Sequence, residues 1–440
     1  MLSLELLTAV ADFIELKHLR VFRLTCKGFC DASNQRFAKA YFGSVHVGRS
    51  RRSLAAFLNV TVSPNIADSI RRIYISAHRV YDGIDPSTLT ESDVSSMSAE
   101  WITLIDVESR RSYHESVKRQ YAEVLAEQRQ LERTEEWQSA VTRGLENLNI
   151  FGRPLSIGVS LCSDWALGER KDPPWALGLS RMHTASAFRI CMHSAYQSRA
   201  CITRFEMQFV TNYTTPSTNV DFFYLARISS MAPETVASGL QTLVVNFDFV
   251  FEKEEAFVST PGLLTDFERL LTWATSLESL RVVKEFHTAG EVRLMNMLRF
   301  VRPLKRLSLG GLKSCAEQDW IRFIQRHEST LQVLDLTSVD FAEPATWDSV
   351  LGVLRTFPAL RHLVISRLSV RVKAPQVARI ETLVLHRDFG IHDELGTLIE
   401  DLRRGTLQTD ALLPACTRLE EEWREERDIW SQRPRLRQSE

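Results

Sequence analysis

Residues 43–50 have the spacing of a phosphate-binding loop, which holds a nucleotide through backbone N–H groups and a lysine. The segment reads G-S-V-H-V-G-R-S, so arginine stands in place of the lysine. Such a loop must also connect a strand to a helix, whereas the alternation of Phe42, Val45 and Val47 predicts that the motif is itself a strand. We therefore expect no nucleotide hydrolysis, although a strand-like run ending at Asp248 has the acidic residue that a magnesium site would need.

Other residues that could bind a metal or perform catalysis are dispersed. The patterns H-E-x-x-H, G-x-S-x-G and G-x-G-x-x-G are absent, and the eleven histidines are scattered. We interpret His46, His183 and His193 as packed or surface residues. The seven cysteines are an odd number without a C-x-x-C pair, which is typical of neither a disulfide framework nor a zinc site. The sequence predicts no catalytic residues, no metal and no cofactor.

The composition is that of a folded protein whose charges nearly cancel. The chain has 440 residues, 44% of them apolar, with 54 basic and 55 acidic side chains. It is long enough for two or three domains or one repeat array. No net field attracts it to nucleic acid or to an anionic membrane. Any recognition that depends on charge must therefore be local.

Neither a secretion signal nor a transmembrane helix is expected. Glu5, Asp12 and Glu15 interrupt the apolar N-terminus, and no positively charged stretch precedes it. Elsewhere no run of eighteen uncharged apolar residues occurs. We expect an intracellular protein, in the cytoplasm, the nucleus or both.

Apolar residues in 2–29 recur at spacings of three and four, with a break around residues 15–17. This pattern predicts two or three short amphipathic helices joined by tight turns. A module of about forty residues is too small to bury all of these apolar faces, so we expect a partner protein to cover the remainder. The alternative is that these are merely the first helices of an ordinary globular core.

The same segment, L-S-L-E-L-L-T-A-V-A-D-F-I-E-L-K-H-L-R-V-F-R-L-T-C-K-G-F, resembles the F-box. That family opens with Leu-Pro-x-Glu-Leu, continues with Ile-x-x-x-Leu and Leu-x-x-Leu, and closes with a Val-Cys-Lys-x-Trp-like segment. The resemblance implies a small all-α module that docks on the Skp adaptor of cullin-based ubiquitin ligases. The residues that it implies for adaptor binding are Leu2, Glu5, Leu6, Val10, Phe13, Leu16, Leu19, Phe22, Leu24, Cys26 and Phe29.

Two positions differ from the family pattern: Ser3 replaces the usual proline, and Phe29 replaces tryptophan. We expect the Ser3 side chain to cap the first helix by accepting a hydrogen bond from a free backbone N–H. The continuation over residues 36–75 is similar to the region behind the F-box in a large group of fungal F-box proteins.

A second pattern, apolar-x-x-apolar-x-apolar, recurs along the chain. From residue 277 onward its starts are 27, 27, 29 and 20 residues apart, within the range of leucine-rich repeats. Stretches with helical spacing lie between the motifs, so each strand and helix would bury its apolar face by stacking on its neighbours. We predict an irregular α/β solenoid; the alternative is a plain α/β domain with coincidental leucines. The motifs begin at Ile70, Leu145, Leu240, Leu277, Leu304, Leu331, Leu360 and Ile380.

Side chains alternate across a strand, so the residues between the inward-pointing leucines should face the open side of each repeat. Concave solenoid faces commonly bind partners, and we expect this one to hold a protein substrate whose identity is unknown. The alternative is that these residues are simply solvated. The candidate substrate-binding residues are Asn246, Arg281, Arg306, Asp335, His362 and His386.

The predicted organisation has three parts. An F-box-like helical module covers 1–48, the α/β solenoid covers 49–400, and a charged helical tail with a disordered end covers 401–440. Within the solenoid region we expect a mobile acidic loop at 82–98 and one long helix near 115–145.

The expected function is substrate recognition for an Skp–cullin–F-box ubiquitin ligase. The chain would bind the Skp adaptor, and through it a cullin, as a monomer within a hetero-complex and without enzymatic activity of its own. Neither nucleic acid nor a membrane is an expected partner. The alternative is an interaction scaffold that does not support ubiquitination.

Overall fold

The computed structural model describes residues 3–80, 107–160, 180–182, 184–208, 231–246, 268–283, 298, 301–310, 317–337, 346–373 and 376–386. They form a mixed α/β fold with parallel β-sheet. The chain divides into two compact units, unit 1 (Met1–Leu240) and unit 2 (Gln241–Glu440). The predicted acidic loop and charged tail lie outside the described residues. Within the described part of the chain, no helix is both long enough and apolar enough to cross a membrane.

The chain begins with three helices, as the apolar spacing predicts. They are α1 (Leu4–Phe13), α2 (Leu16–Thr25) and α3 (Lys27–Phe42), together called the N-terminal module. Both α1 and α2 pack against the longer α3. The Leu6 N–H donates a hydrogen bond to Ser3 Oγ at 3.4 Å, so the predicted cap of α1 is confirmed.

Strands and helices alternate through the rest of unit 1. In chain order the elements are β1 (Ser44–Val47), α4 (Arg51–Val62), α5 (Pro64–Ala67), β2 (Arg72–Ser76), β3 (His78–Val80), α6 (Val107–Arg133), α7 (Glu136–Asn149), β4 (Leu155–Ser160), β5 (Ser180–Met182), α8 (Thr184–Ser198), β6 (Ile202–Gln208) and α9 (Met231–Ser238). Strands β1, β2, β4 and β6 are neighbours in that order and run parallel. The short β3 and β5 form a separate antiparallel pair.

One face of the unit 1 sheet carries its hydrophobic core. Val45, Ile73, Ile157 and Phe205 stand in register across the four strands, and all are buried. Phe188 of α8 meets Phe205 edge-on, with ring centroids 5.1 Å apart. Helix α7 packs against both α4 and α8, of which α4 contacts β1 and α8 contacts β2 and β4.

Two predictions for unit 1 are wrong. The single helix expected near 115–145 is two helices, because Glu135 adopts a left-handed backbone conformation with φ of 52° between α6 and α7. The strand motif expected to begin at Leu145 lies inside α7. Leu145 and Leu148 are three residues apart, a spacing that suits a buried helix face as well as this motif, and both are buried.

Unit 2 is a succession of parallel strands with helices between them. Its elements are β7 (Thr242–Asn246), β8 (Ser279–Val283), β9 (Arg306–Gly310), α10 (Glu317–Gln325), β10 (Val333–Thr337), α11 (Thr346–Leu354), β11 (His362–Lys373) and β12 (Gln376–His386). Strands β7 to β11 are parallel neighbours in sequence order. Each strand from β7 to β11 begins two residues after the first residue of a predicted motif.

The leucines of the repeated motif form continuous buried rows across unit 2. Strand register aligns one residue from each strand, and all five are at most 1% exposed, so they form an apolar layer of the core. The aromatic side chains of α10 are buried as well, and α10 packs on α11. The row consists of Leu243, Leu280, Leu307, Leu334 and Leu363.

The last predicted repeat differs from the others. Strand β12 contains the motif that begins at Ile380, but it runs antiparallel to β11. Only residues 374 and 375 separate the two strands. A parallel connection needs a dozen or more residues, so a link this short produces a hairpin. The prediction of a further strand–helix repeat at this point is wrong.

Candidate docking surfaces

Aromatic rings and an arginine build the interior of the N-terminal module. Phe22 of α2 stacks on Phe29 of α3, with ring centroids 4.3 Å apart. The Arg23 guanidinium lies 4.1 Å from the centroid of the Phe37 ring. Arg23 also donates a hydrogen bond to the Cys30 carbonyl oxygen at 3.2 Å. These contacts hold α2 on α3.

The beginning of α2 and the end of α1 are attached to α3 by hydrogen bonds. The Tyr41 hydroxyl donates to the Leu16 carbonyl oxygen at 2.7 Å. The Arg36 guanidinium donates to the Ala11 carbonyl oxygen. The side chains of Ala11 and Leu19 are fully buried. The module thus has an ordered interior of its own.

Other faces of α1 and α2 expose large apolar side chains. On α1, Leu6, Val10 and Phe13 are spaced four and three residues apart, which places them on one stripe. Leu6 is 55% exposed and Phe13 is 89% exposed. On α2, Val21 and Leu24 form a second stripe, and Leu24 is 86% exposed. We call these five residues the apolar docking surface.

The residues that the sequence predicts for adaptor binding divide between this surface and the interior. Three of them, Leu16, Phe22 and Phe29, are half-buried, whereas Leu19 is buried within the module. Leu2 lies outside the described residues. The sequence reasoning missed Val21, although its position three residues before Leu24 was a signal for a shared helix face. The exposed members of the predicted set are Glu5, Leu6, Val10, Phe13, Leu24 and Cys26.

Glu5 has a role inside α1 in addition to any contact with a partner. Its own backbone N–H and the Ser3 side chain hydrogen-bond to the carboxylate and lower the pKa of Glu5. A carboxylate in the first turn also interacts favourably with the helix dipole. Ser3 and Glu5 therefore stabilise the beginning of the helix that carries Leu6, Val10 and Phe13.

Strand register brings the predicted substrate-binding residues of unit 2 to one side of the sheet, which we call the polar face. One row across the strands contains Arg281, Ser308 and Asp335, on β8, β9 and β10. A second row contains Arg306 on β9 and His362 on β11. By backbone register, the remaining two predicted residues, Asn246 and His386, belong to the same side.

Residues of the polar face differ in exposure. Arg281 and Arg306 are exposed, and His362 is half-buried. Asp335 is buried, and both of its carboxylate oxygens accept hydrogen bonds. Ser308 Oγ donates to one at 2.9 Å and Thr337 Oγ1 donates to the other at 3.1 Å. Asp335 therefore belongs to a network within the sheet.

The segment with phosphate-loop spacing has a structural role. Strand β1 occupies Ser44–Val47, as the alternation predicts, so the motif does not form a loop between a strand and a helix. The Arg49 side chain is buried, pairs with Glu132 at 3.1 Å and lies 4.1 Å from the Trp137 ring centroid. It joins the β1–α4 connection to both α6 and α7.

Of the three histidines considered as metal ligands, the structure describes His46 and His193. His46 is buried and stacks on Tyr74, with ring centroids 4.8 Å apart, whereas His193 is half-buried on α8. His183 lies outside the described residues. Within the described ranges, no three His, Cys, Asp or Glu side chains form a cluster able to hold a metal ion.

The chain matches no protein-family model and no curated protein, so neither a family nor a relative assigns a function to these surfaces.

Proposed function

We propose that this chain is the substrate-recognition subunit of an Skp–cullin–F-box ubiquitin ligase. The N-terminal module acts as an F-box and binds the Skp adaptor, while unit 2 holds a protein target near the ubiquitin-transferring subunits. The chain itself performs no chemistry. It accelerates ubiquitin transfer by holding the target close to the transferring subunits. The observation that carries the proposal is the apolar docking surface on α1 and α2.

Exposure of this kind favours burial against a partner. Burying an exposed Leu, Val or Phe side chain against a partner contributes roughly 1.5–3 kcal/mol to the binding free energy. Phe13 and Leu24 are almost fully exposed, so each can contribute most of this amount. An exposed apolar stripe on a helix is one of the ways in which proteins recognise each other, because it can lie in an apolar groove of a partner. The interior contacts of the module hold both stripes in place before binding, which reduces the entropy lost on association.

We further propose that unit 2 is part of an irregular leucine-rich-repeat-like solenoid. Its in-register leucine rows, parallel strands and intervening helices support this assignment, since such repeats stack to bury a shared core. The polar face then becomes the surface for the protein target. Its exposed side chains are not used in the leucine layer and remain available for contacts.

Adaptor binding is tested with the double variant Leu6→Ala/Phe13→Ala. Both side chains are exposed, so the substitutions should leave the melting temperature almost unchanged while weakening adaptor binding by at least about tenfold. Binding is measured by titrating purified Skp adaptor against each protein. The matched control is Ile150→Ala, which removes an apolar side chain that is 83% exposed outside the module.

The control should bind the adaptor like the wild type. Equal affinities for the double variant and the wild type would contradict the assignment of α1 as the docking helix. A wild-type protein that does not bind the adaptor would overturn the proposed function altogether.

A second measurement separates the ligase subunit from a scaffold. Partners captured by the wild-type chain under proteasome inhibition are identified by mass spectrometry and tested for ubiquitin transfer by the assembled ligase. We expect transfer to these partners by the wild type and loss of transfer with Leu6→Ala/Phe13→Ala. Adaptor binding without transfer to any captured partner would leave only the scaffold function.

A further inference from the structure

Two arginines lie close together on the polar face of unit 2. Strand register pairs Arg281 of β8 with Ser308 of β9, and Arg306 stands two residues before Ser308. Neighbouring strands lie about 4.8 Å apart and two residues span about 6.6 Å along a strand, so diagonal neighbours of this kind are roughly 8 Å apart, which is within reach of long side chains. Both residues are exposed. Their guanidinium groups are therefore able to converge on one small ligand in front of the sheet.

Two carboxylates near these arginines in the strand register, Glu278 and Asp335, have partners of their own. Glu278 precedes the β8 strand and pairs with Lys305 at 2.6 Å. Asp335, in the same row as Arg281, accepts hydrogen bonds from Ser308 and Thr337. Among the described residues, neither Arg281 nor Arg306 forms an ion pair. In the part of the chain that the structure describes, both guanidiniums are thus exposed without a carboxylate partner.

The surroundings of the two arginines narrow the class of ligand. Arg281 stands in register between Val244 and Ser308, and Arg306 stands in register between Ser279 and Val333. All four of these register partners are neutral. A nucleic acid would need a longer row of cations to replace the counterions of its phosphates. An isolated pair of planar guanidiniums instead suits one carboxylate, which accepts hydrogen bonds from both.

We propose that Arg281 and Arg306 bind an acidic side chain of the protein target and thereby select targets with an exposed Asp- or Glu-containing segment. The assignment of a target to this face rests on the proposed function. The Ser279 hydroxyl can hydrogen-bond to the backbone of an extended segment, and Ser308, which donates its proton to Asp335, can accept a hydrogen bond from it. The arginine pair supplies the charge selectivity.

Fluorescence anisotropy measures how tightly the full chain binds three labelled glycine–serine peptides. The peptides contain glutamate, glutamine or phosphoserine at the same positions. The wild type should bind the glutamate peptide at least about tenfold more tightly than the glutamine peptide. Arg281→Gln/Arg306→Gln should abolish this preference. The matched control, Arg302→Gln/Arg361→Gln, removes two exposed arginines of unit 2 that lie outside its strands and should keep the preference.

Three results would overturn the inference: an undiminished preference in Arg281→Gln/Arg306→Gln, an equal loss in the control pair, or binding of the phosphoserine peptide alone. Far-UV circular dichroism and the melting temperature verify that each variant is folded. The peptide assay requires no adaptor, so its failure is distinguishable from failure of the proposed function. We expect Arg281→Gln/Arg306→Gln to bind the Skp adaptor like the wild type.

Discussion

His327 lies fully buried in unit 2, where its Nδ1 accepts a hydrogen bond from the Leu304 backbone N–H at 3.1 Å. Burial lowers the pKa of His327 from 6.5 to about 4, and nearby Arg326 acts in the same direction. Below pH 6.5 the unfolded chain therefore binds a proton that the folded chain excludes. The free energy of unfolding should fall as the pH decreases from 6.5 toward 4, by up to about 3 kcal/mol.

The variant His327→Asn isolates this effect. Asparagine can present an acceptor oxygen to the Leu304 N–H, but it does not titrate. Urea unfolding near neutral pH and near pH 5 should reveal a smaller loss of stability on acidification in the variant than in the wild type. Identical losses in both proteins would contradict the role assigned to His327.

Gly158 is required for close packing between strands of unit 1. It stands in register between Tyr74 of β2 and Glu206 of β6. A Cβ atom at this position would overlap the Glu206 backbone oxygen and come within 2.9 Å of the Tyr74 ring. Gly158→Ala should therefore destabilise unit 1 by about 1–3 kcal/mol or more, measured by urea unfolding.

Gly352 provides the matched control for Gly158. It lies inside α11, and a Cβ atom there would meet nothing within 4 Å. Gly352→Ala should stabilise the protein by about 0.5–1 kcal/mol, because alanine loses less backbone entropy in a helix. If both glycine substitutions change the free energy of unfolding in the same direction, the proposed steric role of Gly158 is wrong.

At the scale of elements, the break between α6 and α7 allows both helices to bury their apolar faces. Leu131 and Trp137 are both buried. In an unbroken helix, residues six positions apart would point about 120° away from each other. The left-handed conformation at Glu135 changes the helix direction between them, and Arg49 binds Glu132 and Trp137 on the two sides of the break.

Glu135→Gly tests the cost of this break. A left-handed conformation is unfavourable for a residue with a side chain, so glycine should raise the free energy of unfolding by about 1 kcal/mol. Arg143→Gly, at an exposed position inside α7, should lower it by about the same amount. Thermal unfolding of both variants gives the comparison; a loss of stability in Glu135→Gly would contradict this account.

Elements with strong periodicity could be predicted from sequence, and elements defined by long-range packing could not. Spacings of three and four residues predicted the helices of the N-terminal module, and the leucine motifs predicted β7 to β11. The motif at Leu145 misled because a helix face and a strand can share the spacing of two leucines. The direction of β12 depends on the length of its connection to β11, and the step of 20 residues, the shortest in the series, was the available signal.

The candidate sites could be predicted in part for the same reason. Helical periodicity identifies the apolar positions of α1 and α2, but which of them face α3 depends on tertiary packing. Leu19 and Phe13 are both apolar residues on short helices, yet Leu19 is fully buried and Phe13 is 89% exposed. In unit 2, alternation placed Arg281 and Asp335 on one face, whereas the hydrogen bond from Ser308 to Asp335 depends on strand register.

At the scale of the whole molecule, the two units carry different kinds of surface. Within the described ranges, every large apolar side chain that is strongly exposed belongs to unit 1, and most of these belong to the N-terminal module. The exposed arginine pair belongs to unit 2. In the proposed function, the first kind of surface binds the adaptor and the second binds the target.

Calorimetric titration of the full chain with purified Skp adaptor tests the central claim most directly. We predict a complex with one adaptor per chain and a negative heat-capacity change of binding, because association removes the apolar docking surface from water. Titrations at several temperatures give that heat-capacity change. The absence of a complex, or a complex whose binding heat does not vary with temperature, would contradict docking through α1 and α2.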